Sequence, residues 1–97
     1  MINLLIAEAS DFYGLSDGAF FSTGRGYSTR AREAVARVAI DRLGWTAPRV
    51  GRHFKKDKRS IYEGDVRAQA RLKTDPIFFE LVTRLQNIVT PFDDQHL

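Results

Sequence analysis

Every apolar pattern in this 97-residue chain recurs at three or four residues, and none alternates. That period belongs to helices and not to strands, which confines the chain to an all-α fold of about five or six helices. Ile2, Leu5, Ile6, Ala9, Phe12 and Tyr13 mark a first helix that Gly14 stops. Ser16 is placed to cap a short piece over 17–22 that buries Phe20 and Phe21. Thr23-Gly24-Arg25-Gly26-Tyr27 has no period and reads as a loop or arm. Ser28 or Thr29 then caps a long helix with Val35, Val38, Ala39 and Leu43 on one face. Gly44 ends it, and Trp45 is positioned to fold back over that end.

Thr46-Ala47-Pro48 opens a short helix that finishes near Phe54, with Val50 and Phe54 on its inner side. A hydroxyl cap and a proline in the first turn suit a helix start, where the N–H groups lack partners in any case. Lys55 and Lys56 make a turn, and Asp57 caps a further helix, Lys58 to Lys73, with Ile61, Val66 or Ala68, and Leu72 inward. Gly64 interrupts it at a cost of about 1 kcal/mol relative to Ala, for which close packing is the only local reason. Thr74-Asp75-Pro76 caps a last amphipathic helix carrying Ile77, Phe78, Leu81, Val82, Leu85, Ile88 and Val89, which Pro91 ends. The chain thus divides into an opening helix and short piece over 1–24, a bundle over 28–90 and a tail over 91–97. A single domain is expected, because a second core does not fit this length.

The net charge of +3 hides an asymmetry. Residues 25–73 hold fourteen Lys and Arg against five acids, for +9, while each flank carries −3. Such a segment points to a polyanionic partner, with a solvated helix face as the plain alternative. Catalysis has little to work with. There is no cysteine, His53 and His96 stand apart, and no serine has a histidine near it in sequence. No metal, no cofactor and no enzymatic activity are expected. No stretch is long and apolar enough to span a bilayer, and the start lacks a signal-peptide pattern, which places the chain in the cytosol.

The informative constellation is the helix pair over 46–73. A short capped helix, a tight basic turn and a second helix opening on Lys58-Arg59-Ser60 describe a helix-turn-helix. In that geometry the start of the second helix meets base edges in the major groove, where Lys and Arg bond guanine and a serine hydroxyl serves either role. Arg49, Arg52, Lys55 and Lys56 then fall where phosphates pass, helped by the N–H groups at the helix start near Thr46.

Residues Arg30 to Leu72 resemble the C-terminal DNA-binding domain of the bacterial replication initiator DnaA, a Trp-repressor-like helix-turn-helix. Arg30-Ala31-Arg32 is similar to its arginine–proline–arginine entry to a long helix, and Ala47-Pro48-Arg49-Val50-Gly51 to its leucine–proline–glutamate–isoleucine–glycine stretch. Phe54 matches a family phenylalanine, Asp11-Phe12-Tyr13 the end of the linker helix, and Phe20-Phe21 a pair of leucines. The resemblance covers about residues 1–85. It implies that Arg25 enters the minor groove as a base contact and that Arg30 and Arg32 meet phosphate. Thr46 and Pro48 lie on the DNA backbone by the same likeness. The signature opening the recognition helix departs from the family pattern. Asp57-Lys58-Arg59-Ser60-Ile61 stands where the family has arginine–aspartate–histidine–threonine–threonine, so an acceptor has become a donor at the reading position. With Met1 directly at the linker helix, a free-standing relative without the ATPase motor is expected. The resulting expectation is a nucleoid-associated, double-stranded-DNA-binding protein in replication control or transcription. The alternative is an interaction module for replication-initiation or regulatory proteins that has lost specific readout. The last helix, with Phe78 and Phe79, is the candidate surface for self-association.

Overall fold

A computed structural model describes residues 1–16, 18–22 and 26–89. Five α-helices and one 3₁₀ turn account for them: α1 (Ile2–Phe12), the 3₁₀ turn (Ala19–Phe21), α2 (Tyr27–Arg42), α3 (Ala47–Phe54), α4 (Lys58–Thr74) and α5 (Pro76–Val89). No strand occurs among the described residues. One buried cluster draws from every element, including Leu5, Phe20, Val35, Val50, Phe54, Ile61, Phe78 and Leu85. Helix α2 is the hub, packed on α1, α3, α4 and α5. No helix among the described residues is long and apolar enough to cross a membrane.

Local chemistry explains most boundaries. Gly44 takes a left-handed φ of 72° just beyond α2, and the Trp45 N–H returns 3.1 Å to the Ala39 carbonyl, closing the helix end. Three starts are capped by side chains. Thr46 Oγ1 accepts the Arg49 N–H at 3.2 Å, Asp57 Oδ1 the Ser60 N–H at 2.8 Å, and Asp75 Oδ1 the N–H groups of Ile77 and Phe78 at 3.1 Å each.

Five expectations change. Helix α2 begins at Tyr27 with Gly26 at its cap position, so neither Ser28 nor Thr29 caps it; Gly26, at φ 94°, sets the entry instead. Gly18, not Ser16, stands at the start of the 3₁₀ turn, and no side chain caps it. Phe20 is buried there while Phe21 is exposed. The inner row of α4 runs Ile61, Gly64, Ala68, and Val66 points outward. At 100° per residue Val66 lies about 140° around the helix from Ile61, which puts it off the buried face. On α5, Phe78 is fully buried and only Ile77 and Phe79 face out, so the self-association surface is smaller than the sequence suggested. The tail, 91–97, lies outside the described residues.

Candidate nucleic-acid interface

Helices α3 and α4 meet through the three-residue turn 55–57. Lys55 adopts a left-handed conformation (φ 58°, ψ 43°), and the Lys56 N–H donates to the Gly51 carbonyl at 2.8 Å. The turn lies so close to α3 that a Cβ on Gly51 would stand 2.6 Å from the Lys56 carbonyl oxygen. Glycine is therefore the residue that lets the turn close, since backbone atoms cannot retreat as a side chain would. Phe54 seals the inside of the corner, edge-on to Phe20 with ring centroids 5.2 Å apart.

The outer surface of the corner carries the residues expected to meet DNA. Lys58, Arg59 and Ser60 are all exposed on the first turn of α4. Arg59 is 86% exposed and donates to Glu63 Oε1 at 3.0 Å, an i,i+4 pair weak enough to be exchanged for another acceptor. Ser60 gives its N–H to the Asp57 cap at 2.8 Å, and its hydroxyl also hydrogen-bonds the Asp57 carboxylate. These bonds, the one from the N–H first, hold the Asp57 carboxyl below the usual carboxylate range. Thr46, Arg49, Arg52 and Lys55 are exposed, and Pro48 and Lys56 are half-buried. The Arg49 guanidinium lies 3.9 Å from the centre of the Trp45 ring, a cation–π contact that steadies the side chain. The expected N–H donors near Thr46 are largely occupied. Pro48 has none, and the Arg49 N–H goes to Thr46.

The other expected contacts fall elsewhere. Arg32 turns inward. Its Nη1 donates to the carbonyls of Phe20 at 2.7 Å and Ser22 at 2.6 Å, and Nη2 to Thr29 Oγ1 at 3.3 Å. Burial lowers its pKa from the ordinary arginine value. Its position ties the 3₁₀ turn to α2 and leaves few N–H groups for a phosphate. Arg30 lies over the Tyr27 ring at 5.4 Å, and Tyr27 in turn stacks on Tyr13 with centroids 5.1 Å apart. Arg25, with Thr23 and Gly24, lies outside the described residues.

Sequence reasoning missed the residue that holds α4 in place. Glu33, only 5% exposed, accepts from Arg67 Nε at 2.8 Å and from Arg71 Nη1. It sits against Gly64, where a Cβ would meet its Cγ at 3.4 Å, an ordinary contact, so the packing expected to explain this glycine does not require it. A second tie joins the same helices, from Arg37 Nη1 to both carboxylate oxygens of Asp65 at 3.3 and 3.2 Å. A buried carboxylate flanked by two guanidinium groups fixes both the rotation of α4 about its axis and its distance from α2. Beside it a cleft of about 200 Å³ opens between α2 and the start of α4, floored by Phe54 and Ile61 and rimmed by Arg32, Lys56, Ser60 and Arg67.

These pairings sort the central charge. Glu33, Asp41, Glu63 and Asp65 take up Arg67 and Arg71, Arg37 and Arg42, Arg59, and Arg37 again. Among the described residues of this segment, the cations left without a carboxylate are Arg30, Arg49, Arg52, Lys55, Lys56, Lys58, Lys73 and the inward-turned Arg32. Five of these eight lie in sequence between 49 and 58, on the outside of the α3–α4 corner. No three His, Asp or Glu side chains among the described residues converge as metal ligands would. No family model, curated protein or solved structure matches this chain.

Proposed function

We propose that the chain is a non-catalytic, double-stranded-DNA-binding protein that lays α4 in the major groove. The observation that carries the reading is the segregation of charge. Acids neutralise the arginines between α2 and α4, while Arg49, Arg52, Lys55, Lys56 and Lys58 stay unpaired around the corner. Ion pairs that solvate a helix would spread over its surface, whereas a phosphate-binding surface keeps its cations unpaired and together. In this reading Lys58, Arg59 and Ser60 face base edges. Arg49, Arg52, Lys55 and Lys56 grip the flanking phosphates, with Arg30 beside the first turn of α2. The resemblance to the DnaA DNA-binding domain supports the same docking, with Arg25 in the adjacent minor groove and a role in replication control or transcription. Arg32 is left out of the contact set, because its donors hold the 3₁₀ turn.

Selection of bound duplexes from a random pool tests this. An enriched motif containing guanine is the expected result. A pool that stays flat, together with capture of a replication or regulatory protein that survives substitution of Lys58 and Arg59, would replace the reading with a protein-interaction module.

A further inference from the structure

Two exposed apolar side chains on α4 have no part in the core. Tyr62 is 58% and Val66 is 69% exposed. With Lys58 they fall at i, i+4 and i+8, one row along the outer face of the helix. The inner row, Ile61, Gly64 and Ala68, already supplies the packing against α2. Helix formation does not explain them either, since valine and tyrosine are weaker helix formers than Lys, Arg, Glu or Gln. Their surroundings are cationic: Lys58 and Arg59 at the head of the row, Lys73 at its foot, and Arg52 and Lys55 exposed on the adjoining corner. The acids beside the row are paired, Glu63 with Arg59 and Asp65 with Arg37. A narrow apolar strip inside a cationic rim matches the duplex major groove, whose phosphate edges take the cations and whose thymines present methyl groups.

We propose that Tyr62, with Val66 behind it, reads thymine methyl groups next to the base pairs contacted by Lys58 and Arg59. The proposal rests on the DNA-binding reading above. It adds a prediction of sequence. Four residues of helix advance about 6 Å, close to two base steps of 3.4 Å, so the thymine falls about two to four base pairs from the guanine contact.

The test uses the 97-residue chain and the duplex enriched from the random pool, with each thymine replaced in turn by uracil, which lacks only the methyl group. Fluorescence anisotropy is expected to show at least one uracil weakening wild-type binding by about threefold to fivefold, the worth of one buried methyl. The double variant Tyr62→Ala, Val66→Ala should bind less tightly and should no longer distinguish thymine from uracil. Both side chains are exposed, so the variant keeps its core. An enriched duplex with no uracil-sensitive position, or a double variant as sensitive as wild type, overturns the methyl reading alone. No binding to any duplex overturns the DNA reading and this inference with it. A concentration-dependent dimer in sedimentation that the double variant abolishes would assign the strip to a second copy of the chain and also overturn it.

Discussion

Replacing Glu33 by glutamine keeps the shape of the side chain and removes its charge. The carboxylate is almost fully buried and accepts from two guanidinium groups, so the variant leaves at least one of them facing an amide N–H instead of an oxygen. Stranding a buried partner costs about 3–5 kcal/mol when the remaining charge cannot reach water. Here Arg67 is 51% and Arg71 27% exposed, and both can rotate outward, which brings the expected loss to about 2 kcal/mol. For a domain of this size that is a fall in Tm of about 8–16 °C. Arg71, the less exposed partner, should matter more than Arg67. Urea and thermal unfolding followed by far-ultraviolet circular dichroism measure the difference. Glu63→Gln, which breaks the exposed pair with Arg59, serves as the control at about 0.3–0.5 kcal/mol. Equal losses for Glu33→Gln and Glu63→Gln would refute the claim that Glu33 anchors α4.

Gly51→Ala is expected to destabilise by about 2 kcal/mol, because its Cβ would collide with the Lys56 carbonyl and outweigh the better helix propensity of alanine. Gly64→Ala, whose Cβ would meet the Glu33 and Arg67 side chains at ordinary contact distances of 3.4 Å and beyond, should stay within about 1 kcal/mol of wild type in the same unfolding assay. Asp57 has a lowered folded pKa, so its capping contribution is complete above the unfolded value of about 3.9 and is lost as pH falls through the folded value. Urea midpoints measured from pH 5 to pH 3 should therefore fall more steeply for wild type than for Asp57→Asn, whose amide oxygen can still cap. Arg59→Ala should relax preference at one base pair by about 1–3 kcal/mol in competition binding, whereas Lys55→Ala should weaken all duplexes alike and reduce the salt slope by about one unit.

Much of this architecture is written locally. Thr46, Asp57 and Asp75 cap helices in the structure as their spacing suggests, because a cap needs only a short polar side chain and the N–H three residues on. Gly44 and the Lys55–Lys56 turn are legible for the same reason. What depends on distant neighbours is not. Glu33 looks like any charge on a helix until α4 brings Arg67 and Arg71 against it from more than thirty residues away. Arg32 reads as a free cation until the 3₁₀ turn presents two carbonyls to it. Val66 competes with Ala68 for the inner row in the sequence, and the rotation of α4 that turns Ile61 and Gly64 inward puts Ala68 on the buried face. Of the expected contact residues, the group from Thr46 to Ser60 lies within the single unit formed by α3, the turn and α4, which is why sequence spacing could group them.

The account turns on whether the unpaired cations of that corner bind a duplex. Anisotropy titration of a labelled random-sequence duplex at several salt concentrations measures this directly. If Arg49, Arg52, Lys55 and Lys56 meet phosphates, log K should fall against log salt with a slope between about −3 and −4, and the slope should shrink when any two of the four are replaced by alanine. No binding at about 50 mM salt, or a slope that those substitutions leave unchanged, would contradict it.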